Sequence, residues 1–212
     1  MAAAALAILV SYLLGAVPFG FVMARVLRGV DLRTVGSGNI GATNAMRVLG
    51  KPLGVVAFLL DFAKGWVPSF LLAPLAASEA VDLGWLRVLC GAAAVVGHVW
   101  PVYLRFRGGK AVATGCGAIV GVDPLVFVGA GLVWLLTLAT TRFVSLASMA
   151  MGVSFPVLAA LRMGPERHGF ELVLGTGALA LLILLRHRSN LGRLLAGTEP
   201  RAGRSKERQG AG

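Results

Sequence analysis

Residues 1–27 read MAAAALAILVSYLLGAVPFGFVMARVL, and the first charged side chain in this stretch belongs to Arg25. A helix needs about 20 apolar residues to cross the hydrocarbon core of a bilayer. A cleavable signal peptide has a charged start and a shorter apolar run, and this stretch has neither feature. It therefore predicts a first membrane-spanning helix, which we place at Ala3–Val26.

The composition extends this prediction to the rest of the chain. Of its 212 residues, 57% are hydrophobic and 14% are charged, and the mean hydropathy is +0.82. Soluble domains carry about 25% charged residues, so this chain has too little polar surface to face water. Its net charge of +11 comes from cations between apolar runs. That pattern favours cytoplasmic loops that meet phosphate or anionic lipid, and we expect no nucleic-acid partner.

Six further apolar runs follow the first one. They are Pro52–Ala77, Leu83–Leu104, Ala111–Val122, Leu125–Thr140, Phe143–Leu161 and Glu171–Leu185. The run Ala111–Val122 would cover only about 18 Å as a helix and ends before Asp123-Pro124, where proline disfavours helical geometry. The predicted fold is an all-α, polytopic integral membrane bundle of about seven transmembrane helices, one of them short. We expect one domain over residues 1–199 and a basic, disordered tail over 200–212.

The cations lie mainly after the first and the last apolar runs. Five fall between Arg25 and Lys51, and seven follow Leu185. Loops rich in lysine and arginine stay in the cytoplasm. Seven spans place both groups there, so we expect the N-terminus outside and the C-terminus in the cytoplasm.

A first polar cluster, SGNIGATNAMR, occupies Ser37 to Arg47. Its glycines let the backbone approach a ligand, its hydroxyl and amide side chains supply hydrogen bonds, and Arg47 can bind a phosphate with two parallel hydrogen bonds. The alternative is an ordinary polar connection in which Thr43 or Asn44 caps a helix.

A second cluster lies in RFRGGKAVATGCG, residues 105–117. Gly108 and Gly109 precede Lys110 at the start of an apolar helix, so backbone amides, a positive helix end and an ammonium group can converge on an anion. The alternative is a tight turn at the membrane surface with cations reaching toward water.

A third cluster, RHRSNLGRLLAGTE, begins at Arg186 directly after the last apolar run. His187, Asn190 and Arg193 follow each other at intervals of three, so they share one face of a helix. The alternative is a basic amphipathic helix on the membrane surface.

Charged and ionisable side chains also fall inside the apolar runs, where they are costly and face a partner or a cavity. Asp61 and Lys64 are three residues apart and predict a structural ion pair on one helix face. His98 lies near the end of its run, where it either reaches the polar clusters or serves the packing alone.

Together and in this order, the three clusters resemble the motifs of the bacterial acyl-phosphate:glycerol-3-phosphate acyltransferase family. That family carries SGNxGxTNxxR, FxGGKGVAT and RHxxNxxRLxxGxE. This chain has SGNIGATNAMR at 37–47, FRGGKAVAT at 106–114 and RHRSNLGRLLAGTE at 186–199. GHVWP at 97–101 and DFAKGWVP at 61–68 resemble secondary family signatures, so the likeness covers nearly the whole chain up to Glu199.

The resemblance implies transfer of a fatty acyl group from acyl phosphate to the 1-hydroxyl of glycerol 3-phosphate. The products would be lysophosphatidate and inorganic phosphate, in the first step of phospholipid synthesis. It also implies a multi-pass protein of the bacterial cell membrane whose site faces the cytoplasm, with no metal or nucleotide cofactor. The oligomeric state and the preferred acyl-chain length stay open.

The resemblance also assigns roles to residues. Ser37, Asn190 and His187 are the candidate catalytic residues, and Gly108 and Gly109 would support the acyl phosphate with free amides. Asp61, Lys64 and Glu199 take structural roles. Either His187, His98 or the substrate's own phosphate could accept the hydroxyl proton. The full set of expected substrate-binding residues is Ser37, Gly38, Asn39, Gly41, Thr43, Asn44, Arg47, His98, Gly108, Gly109, Lys110, Thr114, His187, Asn190 and Arg193.

One position departs from the family pattern: Ala111 stands where the family has glycine. A left-handed backbone or very close ligand approach there would make alanine harmful, whereas a place in the first helical turn would make it harmless. Because the surrounding pattern is intact, we expect the helical turn.

Two other function classes fit the sequence less well. A membrane transporter of a phosphate-bearing or lipid solute would also combine cations with broken helices, but transporters often carry internal repeats and midplane binding sites. This sequence has no evident repeat. Acyltransferases with a His-Asp mechanism use HxxxxD, and none of the three histidines is followed by aspartate at that spacing.

Overall fold

The computed structural model describes residues 1–164 and 169–203, which form helices joined by short loops. The α-helices are α1 (Ala2–Ala16), α2 (Phe19–Arg28), α3 (Ala42–Leu49), α4 (Lys51–Val67), α5 (Ala73–Ala76), α6 (Leu83–Val99), α7 (Val112–Val122), α8 (Pro124–Thr141), α9 (Val144–Leu161), α10 (Phe170–Arg186) and α11 (Arg188–Leu195). A π-helical turn at Pro68–Leu72 joins α4 to α5, and a 3-10 turn at Val102–Leu104 follows α6. The predicted all-α fold is confirmed within these residues.

Seven apolar segments are present in the described part of the chain, as predicted. Five are long and apolar enough to cross a bilayer: Ala2–Arg28, Lys51–Ala76, Leu83–Leu104, Pro124–Thr141 and Val144–Leu161. α10 and α11 together make a sixth, bent by 56° between them, and α7 is a shorter apolar helix of 11 residues. At 1.5 Å per residue α7 covers about 16 Å, so it depends on its neighbours to complete a crossing.

The first span, predicted as one helix, is broken between α1 and α2. Pro18 has no N–H and disfavours helical geometry at Val17, whose ψ is 117°. The break leaves the Val17 carbonyl without a helical partner, and Lys64 Nζ donates a hydrogen bond to it at 2.8 Å. The same ammonium lies 2.7 Å from Asp61 Oδ1, and both side chains are almost fully buried. This ion pair therefore ties α4 to the broken first span.

Close contact between α4 and α7 fixes where the second polar cluster lies. A Cβ added at Gly65 would overlap the Thr114 carbonyl, and one added at Gly117 would overlap the Phe62 carbonyl. Small residues let membrane helices approach to backbone contact in this way. The start of α7 is thereby held against the helix that carries Asp61 and Lys64.

A buried apolar cluster joins α6, α7, α8, α9 and α10. Phe155, Ile183 and Val126 are fully buried in it. This packing holds the C-terminal end of α10 in place, and with it the start of the third polar cluster. We expect that end on the cytoplasmic side. The first residues of the predicted tail lie against the α8–α9 junction: Arg201 is 5.2 Å from the Phe143 ring centroid, and the Ala202 N–H donates to the Arg142 carbonyl at 2.7 Å. Residues 204–212 of that tail lie outside the described residues.

Candidate active site

The loop of the first cluster is organised by its own amide side chains. Asn44 is buried; its Oδ1 accepts from the Ser37 N–H at 2.9 Å, and its Nδ2 donates to the Leu32 and Val35 carbonyls, each at 3.1 Å. Asn39 Oδ1 accepts from the Gly41 N–H at 2.8 Å. The two asparagines thus shape the backbone of the loop.

Other polar groups of this loop remain available to a ligand. Ser37, Gly38, Thr43 and Arg47 are exposed. Within the described residues the Arg47 guanidinium makes no hydrogen bond to protein, although its charge is felt by Lys110 of the second cluster. The first cluster therefore presents a guanidinium and hydroxyl groups from a rigid turn at the edge of the second.

The glycine pair of the second cluster has a different role from the one predicted. The expectation of free glycine amides was wrong: the Gly108 N–H donates to the Val99 carbonyl at 3.1 Å, and the Gly109 N–H donates to the His98 carbonyl at 3.0 Å. The last carbonyls of a helix need donors from outside it, and the turn supplies them to α6. In the described chain, the amides from Lys110 to Ala113 at the start of α7 have no protein acceptor. An anion would therefore meet the amides just after the glycines.

Arg186 completes the glycine turn and was not among the predicted site residues. Its Nε donates to the Gly109 carbonyl at 3.1 Å and its second guanidinium nitrogen to the Gly108 carbonyl at 3.0 Å. A guanidinium is planar and can serve two neighbouring acceptors at once. The signal in the sequence was the position of this cation, the first residue of the third cluster.

His98 lies behind the glycine turn. It is 4% exposed, and a Cβ added at Gly109 would collide with the edge of its imidazole. On its other side, His98 Nδ1 is 3.8 Å from Asp61 Oδ1. His98 thus supports the turn from within the bundle, and its Nδ1, which has no hydrogen-bond partner among the described residues, lies beside the ion pair of α4. Thr114 is also fully buried in the described structure, on the face of α7 that packs on α4.

Ala111 adopts a left-handed backbone with φ 64° and ψ 8°, immediately before α7. The expectation of an ordinary first helical turn was therefore wrong. Side chains with a Cβ occupy this region at a cost, which is why glycine suits it. The Ala111 methyl is fully buried in the apolar cluster, and this burial offsets part of the strain.

The second and third clusters meet at Lys110 and Asn190. Lys110 Nζ donates a hydrogen bond to Asn190 Oδ1. Asn190 Nδ2 in turn donates to Glu199 Oε1 at 2.7 Å. Asn190 is 6% exposed, so this contact holds the ammonium at the inner wall of the site.

Glu199 accepts hydrogen bonds from two further side chains besides Asn190. Its Oε1 also accepts from Ser145 Oγ at 2.6 Å, and its Oε2 accepts from Arg193 Nε at 2.7 Å. Burial acts to raise the pKa of this carboxyl, but the hydrogen bonds from Ser145, Asn190 and Arg193 outweigh it and hold the pKa below its ordinary value. Ser145, on α9, is a second site residue that the sequence did not indicate.

His187 lies in the bend between α10 and α11 and is 4% exposed. Its Nδ1 is 2.8 Å from the Ile183 carbonyl oxygen, which can only accept a hydrogen bond. In the neutral ring Nδ1 therefore carries the proton, and Nε2 keeps a lone pair.

The electrostatics of the site favour an anionic ligand. Burial and the positive charges of Arg193, Arg47 and Arg186 lower the pKa of Lys110 to about 8, against the opposing charge of Glu199. Repulsion thus acts among four cations from three separate parts of the chain, namely Lys110, Arg47, Arg186 and Arg193. Among the described residues, no group of three or more metal-binding side chains lies together.

The model of a family described as glycerol-3-phosphate acyltransferase matches residues 5–197 of the chain. The chain belongs to the glycerol-3-phosphate acyltransferase family. A relative of that name from Desulforamulus reducens is 43% identical over 196 residues, covering 92% of this chain and 94% of the relative. Another from Aquifex aeolicus is 42% identical over 194 residues, covering 92% of this chain and 96% of the relative.

Two solved structures of PlsY (YgiH), an integral membrane glycerol 3-phosphate acyltransferase, share the fold. The glycerol 3-phosphate form is 41% identical with a TM-score of 0.86, covering 94% of this chain and 96% of that one. The lysophosphatidic acid form is 39% identical with a TM-score of 0.82, covering 93% and 94%. The predicted family is confirmed, and this chain is an integral membrane glycerol-3-phosphate acyltransferase.

Proposed function

We propose that this acyltransferase uses acyl phosphate as its donor and acylates the sn-1 hydroxyl of glycerol 3-phosphate. Lysophosphatidate and inorganic phosphate are then the products. The observation that carries the proposal is the meeting of Lys110 with Asn190, surrounded by the charges of Arg47, Arg186 and Arg193. Two phosphate-bearing substrates would relieve the repulsion among these cations, whereas a neutral acceptor would not.

The position of the site supports a lipid-borne donor. Lys110 is two residues from the first residue of α7, and His187 directly follows α10. An acyl phosphate is a charged head on an apolar chain, so its head can reach the polar loops while its chain stays among membrane helices. Such a donor needs no protein surface that binds a soluble acyl carrier.

The transfer has a simple atom balance. The hydroxyl oxygen of glycerol 3-phosphate attacks the acyl carbonyl carbon, a new ester bond forms, and the bond from that carbon to the phosphate oxygen breaks. The hydroxyl proton ends on the departing phosphate. Fixed cations and amides stabilise the negative charge that develops during the attack.

We assign the phosphate and glycerol contacts to Ser37, Arg47, Lys110, His187 and Asn190. The exposure of Ser37 and Arg47 supports their place in this set. Supporting roles fall to residues whose polar atoms are already hydrogen-bonded within the protein. These atoms are Asn39 Oδ1, the Asn44 amide and the N–H groups of Gly108 and Gly109. Arg193, Glu199 and Ser145 hold Asn190 in position.

The proton can pass to the phosphate directly or through His187 Nε2. The burial of His98 behind Gly109 argues against His98 as the base. A His187→Gln variant tests the second route: near-complete activity would rule His187 out as the required base and leave the phosphate as acceptor.

The donor is tested with purified protein in neutral-lipid nanodiscs. Phosphate release from palmitoyl phosphate is measured with and without glycerol 3-phosphate, and the lipid product is identified by mass spectrometry. Release that depends on the acceptor, with a 1-acyl product, is expected. Activity with acyl-CoA in place of palmitoyl phosphate would overturn the proposal.

We also propose that the site faces the cytoplasm of a bacterial cell, with the N-terminus outside. The cation-rich loops beside the site support this orientation. Both native cysteines, Cys90 and Cys116, are buried, so single introduced cysteines can report it. A membrane-impermeant maleimide added to intact cells should label a cysteine at Glu79 and spare one at Arg28. The reverse pattern would invert the topology.

A further inference from the structure

A second polar feature lies at the other end of the bundle from the site. A cavity of about 150 Å³ lies between α6, α7, α10 and the π-helical turn and is open on one side, and Ser69, Arg87, Thr176 and Leu179 contribute to its lining. Arg87 precedes His98 by 11 residues on α6, which corresponds to about 16 Å along the helix. The cavity is therefore separate from the loops that carry Lys110 and Asn190.

Two polar groups in this cavity lack partners. Ser69 is fully buried, and its Oγ has no hydrogen-bond partner within residues 1–164 and 169–203. Arg87 Nε is buried and likewise unbonded there. Thr176 Oγ1 donates to the Leu172 carbonyl at 2.6 Å, which leaves its lone pairs able to accept.

No described carboxylate forms an ion pair with Arg87. Asp82, one turn earlier, caps α6 by accepting from the Trp85 N–H at 2.9 Å. Asp123, at the nearby end of α7, is bound by Arg162 Nε at 2.7 Å. Charged groups within membrane helices face a partner or a polar space. Because no carboxylate of residues 1–164 and 169–203 neutralises Arg87, its guanidinium can take an anionic ligand in this cavity.

The rest of the lining consists mostly of apolar side chains and small residues. Val88, Leu179 and Leu182 continue the cavity along α6 and α10 toward the middle of the bundle. Arg87 is four residues from the first residue of α6, or about 6 Å along it, close to the depth of a lipid headgroup. The cavity thus combines a cation at headgroup depth with an apolar groove behind it.

We propose that this cavity binds an anionic phospholipid, with its phosphate at Arg87 and Ser69 and one acyl chain in the groove. The charge of Arg87 selects an acidic headgroup, and its planar donors match a phosphate. The orientation is opposite to that of the acyl donor, whose phosphate would lie at Lys110. The site is therefore one for a structural lipid, and it does not depend on which acyl donor the enzyme uses.

The test uses the intact protein in phosphatidylcholine nanodiscs that contain phosphatidylglycerol. Lipids retained by the protein are counted by native mass spectrometry for the wild type, Arg87→Gln and the control Arg162→Gln. Arg162→Gln removes the same charge, but that guanidinium is already bound by Asp123. Arg87→Gln should lower retention of phosphatidylglycerol about fivefold, and Arg162→Gln should leave it unchanged.

Two further measurements keep this test decisive. Acyltransferase activity of Arg87→Gln should equal that of the wild type, which shows that the variant is folded. Arg87→Lys keeps the charge but not the planar donors, so it should retain more phosphatidylglycerol than Arg87→Gln. Equal retention by the wild type and Arg87→Gln, or equal loss in Arg87→Lys and Arg87→Gln, would each overturn the proposal.

Discussion

Lys110 Nζ donates a hydrogen bond to Asn190 Oδ1, across 80 residues of sequence. This contact joins the turn before α7 to the helix after α10. Because Asn190 also donates to Glu199, the ammonium is held in place by a chain of polar contacts that ends on a carboxylate. The geometry of the site is thus set before any substrate binds.

Activity is expected to fall as pH rises, because Lys110 loses its proton. The pKa of Lys110 is lowered to about 8, so the group is charged below that pH and neutral above it. Only the charged form attracts a phosphate, so kcat/KM for glycerol 3-phosphate should fall about tenfold per pH unit above the pKa. A pH profile of kcat/KM measures this. Lys110→Arg keeps its charge and should lack this decline, whereas a wild-type profile that stays flat through pH 8 would contradict the role of Lys110.

Ala111→Val should destabilise the protein by about 2 kcal/mol or more. A β-branched side chain is strongly disfavoured at the left-handed backbone of Ala111, and the buried position has no room for two extra methyl groups. Thermal unfolding in detergent measures the loss. Ala139→Val, at an exposed helical position of α8, is the matched control and should change stability little. Equal effects of the two changes would show that the backbone of Ala111 carries no strain.

Gly109→Ala should reduce kcat/KM by about 100-fold, because the new methyl group would collide with the His98 ring and displace the turn that carries Lys110. Initial rates at subsaturating glycerol 3-phosphate measure this. Gly192→Ala is the matched control: it lies on α11, and a Cβ there meets nothing within 4 Å. Wild-type activity in Gly109→Ala would mean that the turn tolerates displacement.

Arg186→Lys should also lose activity, by about tenfold or more, since one ammonium cannot replace a guanidinium that serves two carbonyls. Arg188→Lys, two residues away and exposed, should behave as the wild type. Steady-state kinetics on both variants would separate positioning of the turn from simple charge. If both variants are fully active, Arg186 has no positioning role.

The membrane segments could be predicted from the sequence because hydropathy is a local property of a run of residues. The boundaries of α8 and α9 lie within one residue of the predicted ones. The break in the first span was also signalled locally, by Pro18, but the apolar composition on both sides concealed it. Lys64 forms the predicted ion pair with Asp61, and it also donates a hydrogen bond to the Val17 carbonyl that this break exposes.

The details of the site depended on contacts that a sequence does not display. The glycine amides were expected to be free because glycine exposes its backbone, yet the end of α6 uses them. The backbone of Ala111 follows from how the turn enters α7, and the role of Arg186 follows from where α10 ends beside that turn. Three motifs thus indicated the candidate site, whereas the division between residues available to a ligand and residues that support them required the fold.

Glu199 follows all seven apolar segments of the described chain, yet it holds Ser145, Asn190 and Arg193 together. A ribosome makes these residues in order, so a growing chain inserts its helices before it has this carboxylate. Acyl transfer is therefore expected to begin only once synthesis has passed the last membrane helix. Products of interrupted translation that lack Glu199 should accumulate in the membrane without consuming substrate.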